Sequence, residues 1–224
     1  MDAVSVSDTA LDAIWQSQTA WDIVKAKSMA VGKFAAGRAG LDGADYADVD
    51  AVASSQTAMD AVSTSQTAMD AVSTSQTAMD AVSVSAIAME AVAASQIAMD
   101  AVVAATDVAL PTVVETDTAM NEISLSDLAL DTLWASSAAW DLIKANAMAV
   151  GKFSVGRAGL SGYDYADIDA VAASQTAMGA VSTSQTAMDA VSASSLAMDA
   201  VAGSQTAMDA VATSQLAMDT VAAS

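Results

Sequence analysis

Apolar and polar positions cycle with a ten-residue period along most of this chain. The plainest unit is Ser65-Gln66-Thr67-Ala68-Met69-Asp70-Ala71-Val72-Ser73-Thr74, and it recurs at 55–64. Numbered from that Ser, position five is Met59, Met69, Met79, Met89 and Met99. Position six is Asp60, Asp70, Asp80, Glu90 and Asp100, and position eight runs from Val52 to Val102 in steps of ten. A later tract repeats the pattern at Met178, Met188, Met198, Met208 and Met218. Ala68, Met69 and Val72 are spaced i, i+1 and i+4, which puts them on one helical face. Ala, Met and Gln favour helix, and Ser at position one is a good N-cap. Ser63 and Gln66 also fit a capping box. Each decad therefore predicts one helix of about seven residues followed by a tight turn.

One continuous helix is a poor solution. Ten residues turn through about 1000°, so the apolar face falls about 80° behind at every repeat. A coiled coil would need about 3.3 residues per turn, well overwound from 3.5. The expected fold is thus mainly α: a solenoid or prism-like rod of short helices, Met and Val inward and Asp outward, each helix held by its neighbours. A trimeric helical fibre is the runner-up and a β-solenoid the third option.

A longer repeat lies over the decads. A shift of 119 residues brings Trp15 onto Trp134, Trp21 onto Trp140, Lys33-Phe34 onto Lys152-Phe153, and 37–41 onto 156–160. The chain divides on this pattern into halves 1–105 and 106–224. Each half has an aromatic module (7–36, 126–155), a Gly-rich insert (37–44, 156–163) and a plain decad tract (45–104, 164–224). The register slips near Ala105, and Pro111 replaces an Asp there. The Trp and Phe residues should make the modules the best-packed part of each half.

Composition narrows the function. The 224 residues carry 27 acids and 7 bases, for a net charge of -20, with no His and no Cys. That leaves no disulfide framework, no Cys/His zinc site and no imidazole or thiol catalysis. Phosphate neutralisation needs Lys and Arg, so no nucleic-acid partner is expected. No run of eighteen apolar residues exists, so no membrane span is expected. Asp2 stands where a secretory leader would carry a base, so none is expected. All seven bases lie in the modules and inserts, at Lys25, Lys27, Lys33, Arg38, Lys144, Lys152 and Arg157. The acid load, screened by salt, fits a hypersaline setting.

Several groups are candidates for chemistry. Asp45, Asp48 and Asp50, repeated as Asp164, Asp167 and Asp169, place three acids beside a Gly-rich loop and are candidate ligands for Ca²⁺, Mg²⁺ or K⁺. The plainer reading makes Asp45 and Asp164 helix N-caps. The position-six acids read mainly as a solvated face. Arg38 and Arg157, with Lys33 and Lys152, are candidate docking groups for acidic neighbours. Trp15 and Trp134 are candidates for sugar stacking, against a plainer role in the core. The segment 151–159 lacks the ending of a phosphate loop. No organic or metal cofactor is otherwise expected, and acids that recur in every decad mark a scaffold rather than an active site.

The decad Ser-x-Thr-Ala-Met-x-Ala-Val-x-x-Ser resembles repeats in tail-fibre and other tail-associated proteins of tailed viruses. The resemblance covers most of the chain. It implies a non-enzymatic, oligomeric shaft or connector of a virion tail or tail fibre that supports host attachment. Its neighbours would be other tail subunits and further copies of itself, with a host glycan or surface-layer protein beyond them. Together with the acidic composition it implies an extracellular, high-salt virion, from a virus of a halophilic archaeon. The alternative is a cell-surface filament or adhesin subunit with glycan-binding aromatic knobs.

Overall fold

A computed structural model describes residues 1–223, and all regular structure among them is helical. The first compact unit is Met1–Ala119. It contains α1 (Asp2–Ser5), α2 (Asp8–Gln16), α3 (Gln18–Lys25), α4 (Ser28–Arg38), α5 (Val49–Ala53), α6 (Gln56–Ser63), α7 (Gln66–Ser73), α8 (Gln76–Ser83), α9 (Ala86–Ala93), α10 (Gln96–Ala104) and α11 (Ala109–Glu115). The second unit begins at Met120, within α12 (Asp117–Ser124). It continues with α13 (Asp127–Ala135), α14 (Ser137–Ile143), α15 (Ala147–Arg157), α16 (Ile168–Ala173), α17 (Gln175–Val181), α18 (Gln185–Ser192), α19 (Ser195–Gly203), α20 (Gln205–Thr213) and α21 (Gln215–Ala223). Met120 is Met1 moved by one long repeat, so the structural division follows the duplication. Residues 106–119 group with the first unit because α11 packs on α8 and α10.

Each plain helix is set by its decad. Ser at position one adopts an extended backbone and its hydroxyl accepts from the Ala N–H three residues on, as Ser65 does from Ala68. Gln at position two donates to Asp at position six, as Gln66 does to Asp70 at 2.7 Å, instead of completing a capping box. Thr74 ends the helix by donating to the Asp70 carbonyl.

Within the tracts helices pack on the helix three places later: α5 on α8, α6 on α9, α7 on α10, and likewise α16 on α19, α17 on α20 and α18 on α21. Three helices thus complete one coil of a three-sided solenoid. Ala58, Met59 and Val62, and their equivalents in the next four decads, lie inside, and the position-six acids remain outside or half-buried.

The corners are pinned by one repeated bond. Ser85 donates to the Ala53 carbonyl, Ser95 to Ser63, Ser204 to Ala172 and Ser214 to Ser182, all at 2.5–2.6 Å and all 32 residues apart. The same hydroxyl therefore caps its own helix and fastens the coil before it. Asp or Asn would cap equally well, but an ionised Asp has no proton to donate. That double duty explains why Ser, rather than Asp, holds position one.

The modules break the pattern through one long helix. α4 packs on α1, α2 and α3 and also on α5, α6, α7 and α8, so it serves as a side of two coils at once. It runs antiparallel to α7, because Ser65 at the start of α7 bonds the Arg38 carbonyl and Ser75 at its end bonds the Lys25 carbonyl. Residues 30–37 are accordingly buried on every side. Gly32, at position six, makes this possible: a Cβ there would lie 2.4 Å from Val49 N and 2.5 Å from Asp48 C. α15 repeats the arrangement with α13, α14, α16, α17, α18 and α19, and Gly151 meets Asp167 and Ile168 in the same way. Gly40 and Gly159 then turn the chain at φ near 77°, with Leu41 N bonding back to the Ala36 carbonyl in a left-handed helix stop. Pro111 falls in the first turn of α11, where its missing N–H leaves no helical bond unmade.

Candidate functional site

The sequence-derived candidates gather in two equivalent places, one per module. Trp15 and Trp21 meet edge to face at 4.8 Å, and both lie against Phe34. Trp134, Trp140 and Phe153 repeat this, with the indoles 4.6 Å apart. Trp21 is buried, whereas Trp15 and Trp134 keep 37% and 39% of their surface open.

Arg38 and Arg157 are turned inward rather than held out for a partner. Arg38 lies 5.3 Å over the Phe34 ring and pairs with Asp12 at 2.7 Å. Arg157 lies over Phe153 and pairs with Asp131 at 2.5 Å, with a further bond to the Leu130 carbonyl. These contacts clamp the end of α4 or α15 to the helix two before it.

Lys33 and Lys152 are buried. Lys33 donates to the Gly43 carbonyl at 2.9 Å and pairs with Asp2 at 2.6 Å. Lys152 donates to Asn121, to the Gly162 carbonyl at 3.0 Å and to the Tyr165 carbonyl at 3.1 Å. Each ammonium thus anchors the insert that follows its helix. The hydrogen bond and charge of Lys33 hold the Asp2 carboxyl below its ordinary value, and Lys25 does the same for Asp22.

The acidic loops separate by role. Asp48 and Asp167, not Asp45 and Asp164, are the N-caps, accepting from Ala51 N at 3.0 Å and Ala170 N at 2.9 Å. Asp45 and Asp164 lie in short 3₁₀ turns, and Asp50 and Asp169 in the first turns of α5 and α16. Among the described residues no group of three or more carboxylates converges on a point that could hold a metal ion.

Two matching clefts lie on the stacked tracts. One, of about 480 Å³, is bordered by Trp15, Gln66, Asp70, Thr74 and Asp100. Its duplicate, of about 370 Å³, is bordered by Gln185, Asp189, Ser192, Asp219 and Thr220. Sequence reading missed the residues that complete these places: Asp12, Asp131, Asn121 and the Gln partners. Asp12 and Asp131 could have been found as position-six acids within a module, one long repeat apart. No single described helix is long and apolar enough to cross a membrane. No protein-family model matches the chain, and no curated protein matches it either.

Proposed function

We propose that the protein is a non-enzymatic structural element, a shaft or connector of a virion tail or tail fibre that supports host attachment. The observation that carries this reading is the corner bond repeated from coil to coil. It builds length by adding identical layers, each of which contacts only its neighbours, which is how a spacer is made. The outward acids keep such a rod soluble and apart from its neighbours, and high salt relaxes their mutual repulsion. The resemblance of the decads to tail-fibre repeats supplies the setting: an extracellular, high-salt virion of a halophile. Further copies of the chain or other tail subunits are its partners.

The second reading is a cell-surface filament or adhesin subunit. The half-open Trp15 and Trp134 favour it, since an exposed indole face suits a sugar ring. Antibody raised against the chain and viewed by electron microscopy separates the two. Decoration of the tails of purified particles supports the first reading, and decoration of filaments on cells supports the second. Binding to neither overturns both.

A further inference from the structure

One decad breaks the pattern without a packing reason. Nine Gln residues occupy position two, and eight of them donate to the acid four residues on, at 2.6–2.9 Å. The exception is Gln175, because residue 179 is Gly. Gly32 and Gly151, the other position-six glycines, admit a backbone that would clash with any Cβ. At Gly179 a Cβ would meet nothing within 4 Å. A mid-helix Gly weakens a helix relative to Ala, so this one has a cost in stability and no steric purpose.

The gap lies on a cleft of about 990 Å³ between α17 and α20. The duplicated half shows what has changed. Gly179, Thr206 and Thr213 stand where the first half has Asp60, Ile87 and Ala94. One carboxylate has been removed and two apolar side chains have become hydroxyls, while Ser54 has become Ala173 at the rim.

The hydrogen-bonding character of this wall is specific. Thr183 donates to the Gly179 and Ala180 carbonyls, and Thr213 to the Asp209 and Ala210 carbonyls. Their protons are committed, so both oxygens face a ligand as acceptors. Asp209 receives Gln205 on one carboxylate oxygen and has a second to offer. The Gln175 amide, released from its usual carboxylate, supplies both a donor and an acceptor. An acceptor-rich wall with few donors suits a ligand that carries many hydroxyl protons and no negative charge.

We propose that this cleft binds a neutral saccharide of about two rings. Asp209 and the Thr oxygens accept from its hydroxyls, and Gln175 reads one hydroxyl as both donor and acceptor. This is a site separate from the Trp15 cleft, and it does not depend on the shaft reading.

The test is saturation-transfer NMR on the full chain with maltose, cellobiose and chitobiose as probes. Transfer to at least one of them is expected. It should vanish in Gly179→Asp, which restores the decad and its Gln–Asp bond, and in Thr206→Ile, which restores the first-half residue. Asp209→Asn should weaken binding about tenfold, the effect of losing a charge-assisted hydrogen bond. Glu90→Gln, the matching change in the first half, should leave the signal unaltered. Circular dichroism verifies that each variant is folded. Transfer to none of the three sugars, or undiminished transfer in both closing variants, overturns the proposal.

Discussion

Helices α4 and α7 lie one on the other and derive from the same decad, yet they are buried in different ways. α7 hides Ala68, Met69, Ala71, Val72 and Ser73 and keeps Gln66 and Thr67 in solvent. α4 is enclosed from Ala30 to Gly37. Two neighbouring positions differ in chemistry, and the first of them differs in burial as well. Position six is Asp70 in α7 and Gly32 in α4, and position seven is Ala71 and Lys33. An outward acid keeps a helix on the surface. Removing its side chain lets the Asp48–Val49 backbone rest directly on the helix, and the buried Lys33 ammonium then satisfies the carbonyl of the loop that makes the approach. A repeat protein can thus change course by altering the residue that the repeat normally gives to water.

This contrast is easiest to break at Gly32. Gly32→Ala should destabilise the first unit by about 3 kcal/mol, because the new methyl meets backbone that cannot rotate away. Gly179→Ala, at the same decad position with open space, should instead stabilise by about 0.5–1 kcal/mol. Thermal melts of the two variants should therefore shift in opposite directions.

Met69 and Met208 sharpen the comparison inside the tracts. Met69 is fully buried between coils and Met208 is 45% exposed. Truncation to Ala should cost about 3 kcal/mol at Met69, and a change within about 0.5 kcal/mol is expected at Met208. Equal losses in chemical denaturation would contradict the assignment of Met to the face between coils.

At the corners, Ser95→Ala removes a cap and the bond to Ser63, and a loss of about 2 kcal/mol is expected. Ser95→Asp keeps the cap, but sets a carboxylate against the Ser63 carbonyl. Its melting temperature should fall at neutral pH and recover in part in acid, as protonation restores a donor.

The smallest effect belongs to Asp2. Its carboxyl is held below 3.8 by Lys33, so the stabilisation from that pair is complete above the ordinary carboxylate pKa and fades as pH falls through the lowered value. Asn121 occupies the equivalent place beside Lys152 and does not titrate. Asp2→Asn should therefore flatten the acid limb of the first unit's melting curve, with little change at pH 7.

Much of the fold was legible in the decads. Ser at position one, Met and Val inward and acid outward follow from helix period and capping chemistry, and the helical solenoid was the expected architecture. The number of sides was not legible, because it depends on the turn angle at each Ser corner and not on residue type. The corner bond was hidden as well: a hydroxyl that caps a helix looks the same in sequence whether or not it also donates to another coil. The modules were visible as aromatic and basic segments, but their basic residues read as outward docking groups. Burial of Lys33, Lys152 and most of Arg38 and Arg157 depends on the long helix being enclosed, and that depends on Gly32 and Gly151. Those glycines were part of the visible duplication, but their partners, 16–17 residues away in sequence, were not.

The most direct test of the stacked three-sided coil is a cysteine pair at Ser63 and Ser95. The chain has no other Cys, and these residues meet at one corner through a 2.5 Å hydrogen bond. In a continuous helix they would be about 48 Å apart. Mild oxidation, or a short thiol-reactive linker, should join them within one chain, read by mass spectrometry as a monomer with a closed loop. Recovery of interchain adducts alone, or of no adduct with either reagent, would contradict the solenoid and favour a fibre of continuous helices.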